Sequence, residues 1–511
     1  MAGKQRKPKA IAEFGDFQTP SALARAASNL LARLGIQPRS ILEPTCGKGS
    51  FLAAAAACFP QAASVIGVDI NQAHLNVART VTDRTRVKLR QGDFFKFDWQ
   101  SVITNEGEPW LVIGNPPWVT SAELGVIASD NLPEKSNFQG RIGIEAITGK
   151  SNFDISEWML LRYLDWLKGH RGTIAVLCKT AVARKILLHV WKKDVRMQSA
   201  RIYKIDALAH FGAAVDACFF VLELHPQART LNCDMFNGLE DAIPTSTLGF
   251  LDGHIIADVE AFNRQRDLLG PEIHYIWRSG IKHDCSKVME LVPTDRGYAN
   301  GLDEVETLED TFLLPMLKSS DIGNGRIHCR SVMLVTQQTV GEDTRHICRD
   351  APKTWSYLQR HSALLNKRAS IIYKNKPAFS IFGVGPYSFA PWKIAISGFY
   401  KTLKFVKVGP LDERPVVFDD TINFLSCWSE DEASFIEDLL ASDRSHEFFH
   451  SMVHWDEKRP ITVEILKRLS IRRLAAALGR EREYARFTAL KDLPLETAAK
   501  SKADMKGPIA A

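Results

Sequence analysis

A strand that runs into two prolines constrains this chain more than any other feature. Leu111-Val112-Ile113-Gly114 is an apolar run, and Asn115-Pro116-Pro117-Trp118 follows at once. Proline has a fixed φ and no ladder donor, so the strand ends there. A loop past the carboxyl end of a buried strand is where ligands bind in open α/β sheets. The residue types indicate what could bind. An exocyclic amino group on a planar heterocycle needs two acceptors for its N–H bonds and a surface to stack on. Asn115 offers a side-chain carbonyl. Pro116 offers a main-chain carbonyl, with no N–H of Pro117 competing. Trp118 offers a stacking face, typically ~1–3 kcal/mol per base. A tight turn followed by a core tryptophan would look the same, so the upstream chain has to decide.

Upstream, glycine and acid punctuation recurs at regular intervals. Phe14-Gly15-Asp16-Phe17-Gln18-Thr19-Pro20 precedes an expected helix over Ser21 to Leu34, with Pro20 at its start. Ser40 to Glu43 reads as a strand. Pro44-Thr45-Cys46-Gly47-Lys48-Gly49-Ser50 is a glycine-bearing turn, and Phe51 to Cys58 is a helix. Such a turn lets a ligand approach the backbone at a helix N-terminus. It is only Gly-x-Gly, short of the dinucleotide fingerprint. Ser64 to Asp69 is a strand ending in an acid able to take ribose hydroxyls, Asn71 to Val81 a helix, and Val87 to Arg90 a third strand. Gly92-Asp93-Phe94-Phe95 follows, where Asp93 can accept from an adenine amino group and Phe94 can pack on the ring. Each acid alone reads better as a cap or turn residue. As a series, Glu43, Gly47 and Gly49, Asp69, Asp93 and Asn115 fall at the ends of successive strands, which turn chemistry does not demand. Glu43 would repel a pyrophosphate and attract a sulfonium carrying an α-ammonium group, which favours S-adenosylmethionine over NAD.

These motifs, in this order, resemble the adenine-N6 DNA methyltransferases of bacterial type II restriction–modification systems, gamma group. The residues that carry the resemblance are Phe17-x-Thr19-Pro20, Glu43-Pro-Thr-Cys-Gly-Lys-Gly, Asp69, Gly92-Asp93-Phe94-Phe95 and Asn115-Pro-Pro-Trp118. The resemblance implies that Thr19, Glu43, Thr45, Gly47, Asp69, Ile70, Asp93 and Phe94 line the S-adenosylmethionine site. It implies that Asn115, Pro116 and Trp118 hold a flipped-out adenine, with Phe211 packing its other face. Double-stranded DNA is the implied partner, and a cognate restriction endonuclease acting separately is left open. RNA adenine or a protein glutamine amide are the alternative substrates, since either offers two N–H bonds.

The expected architecture is α/β: a Rossmann-like methyltransferase domain over 14–233, a mixed α+β target-recognition domain over 234–428 and a helical region over 429–490. A basic arm at 1–13 and a tail at 491–511 are expected to be disordered. Asp154 starts a helix, Gly172 to Leu177 is a strand, and Ile202 to Leu208 and Ala217 to Leu224 complete the sheet. Between Thr120 and Lys150 lies a long polar link, with Arg141 and Lys150 as phosphate-contact candidates. In the second half, cations such as Lys282, Lys374 and Lys393 alternate with aromatics such as Tyr373, Tyr387 and Trp392, a pattern suited to reading a duplex. Helices are expected over Glu430 to Ser442, Thr462 to Leu478 and Glu481 to Leu490. The 511 residues exceed one domain, and the net charge of +6 is compatible with a polyanionic partner without requiring one. Nine cysteines without a CxxC pair fit reduced thiols and no disulfide scaffold, and no defensible zinc spacing appears. No signal peptide or membrane-length apolar run is read, so a soluble cytoplasmic enzyme without a metal is expected.

Overall fold

Apolar runs that are hydrophobic at every position build strands covered on both faces. The computed structural model describes residues 17–119 and 154–489. The 1–13 arm, the 491–511 tail and the whole polar link, with Arg141 and Lys150, lie outside the described residues. The chain divides into two compact units, Met1–Glu260 and Ala261–Ala511.

In the first unit the elements follow as α1 (Ser21–Arg33), β1 (Ser40–Glu43), α2 (Ser50–Cys58), β2 (Ser64–Asp69), α3 (Gln72–Val81), β3 (Val87–Gln91), α4 (Trp99–Asn105) and β4 (Trp110–Gly114). Then come α5 (Ile155–Trp166), β5 (Gly172–Lys179), α6 (Thr180–Lys192), β6 (Met197–Ile205), α7 (Ala207–Phe211) and β7 (Ala217–Leu224). The unit ends with β8 (Asn232–Phe236), β9 (Ser246–Leu251) and β10 (His254–Ile256). They form one ten-stranded sheet, ordered β10-β9-β8-β6-β7-β5-β4-β1-β2-β3. β1 pairs in parallel with both β2 and β4, and β7 runs antiparallel between β5 and β6. The chain therefore starts mid-sheet and winds out first one way and then the other. The reversal falls between β1 and β4, which puts their carboxyl ends, Glu43 and Gly114, at one crevice. This is a Rossmann-like arrangement.

Strand alternation feeds two cores. Leu42, Val112, Ile174, Val176 and Phe220 face α4, α5 and α6, while Ile41, Leu111, Ile113, Leu177 and Phe219 face α1 and α2. α5 begins at Asp154, whose side chain accepts from the Ser156 N–H. Two expected elements differ. The strand expected over Ile202 to Leu208 ends at Ile205, because the Asp206 carboxylate caps α7 by accepting from Ala209 N at 2.9 Å. The helix expected over Thr462 to Leu478 is broken into Val463–Leu466 and Ile471–Ala477. Between them Leu469 bridges Leu269, and Ser470 N donates to Leu268 O at 3.0 Å. That tertiary bridge outweighs local helix propensity.

The second unit holds a four-stranded sheet and a six-stranded sheet, followed by short helices from Glu430 onward. Among the described residues, no helix is long and apolar enough to cross a membrane.

Candidate active site

Glu43, the last residue of β1, is only 3% exposed. Its Oε2 accepts from Leu52 N in the first turn of α2, at 3.1 Å. Burial pushes its pKa well above the ordinary carboxylate value; the Leu52 N–H pulls the other way, and nearby Asp69 adds to the rise. Gly114 makes room for it. With φ at +154°, a Cβ there would lie 3.2 Å from Glu43 Cγ.

The turn after β1 is tied down from two sides. Gly47 has φ +49°, and a Cβ would meet Gln18 Oε1 at 2.9 Å. That same Gln18 oxygen accepts from Lys48 N at 3.1 Å. Asp69, at the end of β2, accepts from Gly47 N at 2.8 Å through Oδ2 and from Asn71 N at 2.7 Å through Oδ1, and His74 Nδ1 stands 3.7 Å from Oδ1. One carboxylate thus fixes two adjacent turns. Past β3, Asp93 Oδ1 accepts from Phe95 N at 2.9 Å, which sets its turn. Phe94 packs edge-on against Phe95 and Trp158 and tilted against Trp99.

Asn115 follows β4. Its Nδ2 donates to the Phe17 carbonyl at 2.8 Å. Its Oδ1 is buried and has no hydrogen-bond partner among the described residues. A buried acceptor left unpaired costs about 1–3 kcal/mol, so native structures hold such atoms for a reason. Here the amide nitrogen is anchored and the oxygen is left for something else.

These strand ends enclose a cavity of about 460 Å³. Of the residues singled out from sequence, Thr19, Glu43, Thr45, Gly47, Asp69, Ile70, Asp93, Phe94, Asn115 and Pro117 line it. Gly49, Pro116, Trp118 and Phe211 do not. Gly49 N-caps α2 at φ +83° and backs onto α3, where a Cβ would sit 3.0 Å from Ala78 Cβ. Its smallness serves helix packing. Trp118, expected to offer an open face, is 5% exposed. Its ring lies 5.7 Å from Phe17 and 5.1 Å from Phe211, edge-on to the latter, and its Nε1 donates to Leu177 O at 3.3 Å. The three rings cover one another because an exposed indole face is worth burying. Sequence reasoning also missed wall residues: Gln18, Asn71 and His74, and Val119, Ile155 and Met159. The last two sit four apart on α5, a spacing that reads as core periodicity and carries no separate signal for a wall.

Cys46 is the cavity's cysteine. Burial pushes its thiol pKa far up, and Glu43 and Asp69 add to that. It offers no thiolate nucleophile. In the second unit, the ligand atoms of Glu304, Glu306 and His361 lie within 4.8 Å of one another. The two carboxylates are already engaged: Glu306 pairs with Arg360 at 2.7 Å and Glu304 accepts from Asn300 Nδ2 at 2.7 Å, while His361 Nε2 stands 3.1 Å from Glu304 without a hydrogen bond among the described residues.

Residues 41–104 match a family model described as a methyltransferase domain. Over 470 residues the chain is 44% identical to the type II methyltransferase M.NspV of Nostoc sp. (strain ATCC 29411 / PCC 7524), covering 91% of this chain and 98% of that one. Among solved structures, the type IIL restriction-modification enzyme MmeI, determined in complex with DNA, superposes with a TM-score of 0.54 at 11% identity, over 96% of this chain and 73% of that one. At that identity the likeness is one of fold.

Proposed function

The chain belongs to the type II methyltransferase family, and from that premise we propose that it methylates N6 of a flipped-out adenine in double-stranded DNA, using S-adenosylmethionine, as the modification enzyme of a restriction–modification system. One observation carries the adenine reading: the unpaired, buried Oδ1 of Asn115, a residue on the wall of the same cavity as Glu43 and Asp69.

The cavity's donors and acceptors suit S-adenosylmethionine. Glu43 offers a buried negative charge for the cationic end. Asp69 and Asp93 offer acceptors for ribose hydroxyls and a ring amino group. Thr19, Thr45 and Gly47 border the same space, and Ile70 and Phe94 give apolar surface to the ring. When bound, the cofactor supplies an electrophilic methyl group on a sulfonium. The protein's task is then alignment of the acceptor nitrogen. That nitrogen is a poor nucleophile because its lone pair is delocalised into the ring. Asn115 Oδ1 and the Pro116 carbonyl accept its two N–H bonds and localise the lone pair. Of the aromatic cluster, Phe17 lines the cavity, with Trp118 and Phe211 packed behind it, Trp118 being the anchored member. A stacked base cannot reach so recessed an amide, which is why flipping is required. The neutral Cys46 thiol fits direct transfer. Membership of the type II family, with the basic and aromatic run of 234–428, supports duplex DNA as the substrate and that stretch as its reader.

Purified protein given labelled S-adenosylmethionine should label adenine in duplex DNA. Label confined to RNA or to protein glutamine would overturn the assignment. Asn115→Ala should lower transfer by at least about 10²-fold, the scale for losing one preorganised polar contact to a reacting group, while cofactor binding persists. Full activity in that variant would place the chemistry elsewhere.

A further inference from the structure

The loop that carries Asn115 is held at its far end by Lys179. Lys179 is the last residue of β5, paired with Ala217 of β7. Its Nζ donates to the Trp118 carbonyl at 3.1 Å and to Asp154 Oδ2 at 2.6 Å. Asp154 is 6% exposed. Its other oxygen caps α5, accepting from Ser156 N at 3.1 Å and Ser156 Oγ at 2.5 Å. Beside this, Ile155 N donates to Val119 O at 2.9 Å. One ammonium thus joins the end of the Asn-Pro-Pro-Trp loop, the end of β5 and the start of α5. Val119, Ile155 and Met159, which flank the join, all line the cavity.

We infer that Lys179 is a positioning residue for methyl transfer. It sets the depth of the Asn115–Trp118 loop relative to the cofactor cavity by fixing the Trp118 carbonyl against a buried carboxylate. This inference rests on the reading of Asn115 as the group that holds the acceptor nitrogen. The chemistry favours Lys for the place. Its point charge serves a carbonyl and a carboxylate at once, and a charge-assisted bond to a nearly buried Asp154 holds better than a neutral one. Among the described residues the loop has few other tethers: prolines at 116 and 117 donate no N–H, leaving the Trp118 indole, Phe17–Asn115 and Ile155–Val119 bonds to do the rest. An error of about 1 Å in such an alignment can cost 10²-fold in rate.

The test uses the full chain and a duplex fragment that the wild type methylates, located by methylation-aware sequencing. Single-turnover transfer, equilibrium binding of S-adenosylmethionine and thermal midpoint are read for Lys179→Met and Lys179→Arg. Expected for Lys179→Met is a 10- to 100-fold slower transfer with cofactor affinity within about threefold of wild type. Lys179→Arg, which keeps the charge and donors, should recover most of that rate. A wild-type rate in Lys179→Met overturns the inference. So does a rate loss that Arg does not rescue and that tracks an equal loss of cofactor binding, since that marks plain destabilisation. If the wild type labels an acceptor other than adenine and Lys179→Met still slows it, the adenine reading falls and the positioning role stands.

Discussion

Among the charged side chains that the two compact units bury, Glu43 in the first and Lys393 in the second are buried to different ends. In the first unit Glu43 sits under the end of β1, 3% exposed, on the wall of a cavity. In the second, Lys393 sits on the strand Trp392–Ser397, 1% exposed, with its Nζ donating to the Ala390 carbonyl at 2.5 Å. Desolvation acts on both in the same sense, favouring the neutral form. It raises the Glu43 pKa and lowers that of Lys393 to about 7. The surroundings make the difference. Lys393 has its partner three residues away and no part in the cavity. Glu43 lines the cavity, with room beside it for an opposite charge that the described residues do not supply. On the proposed function, a buried carboxylate on the cavity wall serves recognition, whereas a cation settled on its own backbone is part of the packing.

The strongest way to break that contrast is to titrate Glu43 against cofactor. Its folded pKa lies above the unfolded value near 4.5, so between those two values the folded free protein holds more protons than the unfolded chain. Stability of the free protein should therefore fall as pH rises through that window and level off above it. A bound cation favours the carboxylate, so binding releases a proton and affinity should rise with pH, by up to about tenfold per unit below the folded pKa. Glu43→Gln should bind S-adenosylmethionine about 10- to 100-fold more weakly at neutral pH, since a lost unit of pKa interaction is worth ~1.4 kcal/mol, and with no such slope. A Gln variant that keeps the slope in a calorimetric titration would remove Glu43 from recognition.

Lys393→Met sharpens the other half. The unfolded chain holds the lysine proton up to about 10.5 and the folded one only to about 7, so wild-type stability should climb with pH between those values. Methionine should flatten that climb and raise stability at pH 7 and below, on the order of the 1–4 kcal/mol gained when buried ionic groups give way to apolar ones. Cofactor affinity should not move. A stability loss at pH 7, read by denaturant midpoint, would mean the ammonium has a partner worth more than its burial.

The same contrast explains what could be read before the fold was known. Glu43, Asp69, Asp93 and Asn115 stand at strand ends because the strands are short apolar runs with polar punctuation, and each lines the cavity. Local chemistry was enough for those. It could not show that Trp118 turns its indole toward Leu177 O, since that requires β5 as a neighbour. Nor could it show that Gln18 braces the Gly47 turn from 30 residues away. β8 to β10 extend the first sheet beyond the change of character at Asp234, because pairing depends on a free sheet edge and not on the strands' own composition. Lys393 read as a surface cation, and only the fold puts it inside.

Cys46 supplies the smallest expected effect and the sharpest check on the rule. It lies on the cavity wall, as Glu43 does, and is equally buried, yet burial leaves it a neutral thiol with two carboxylates nearby. If wall position alone made a buried titratable group functional, Cys46→Ala would be as damaging as Glu43→Gln. If the sign of the charge a ligand must meet decides it, removing the thiol costs only a little packing. Cys46→Ala should then transfer methyl groups within about twofold of wild type under single turnover, the small change expected where no reacting group is lost. Abolished transfer would instead require a thiolate in the reaction, and with it a covalent route in place of direct transfer to an amino nitrogen.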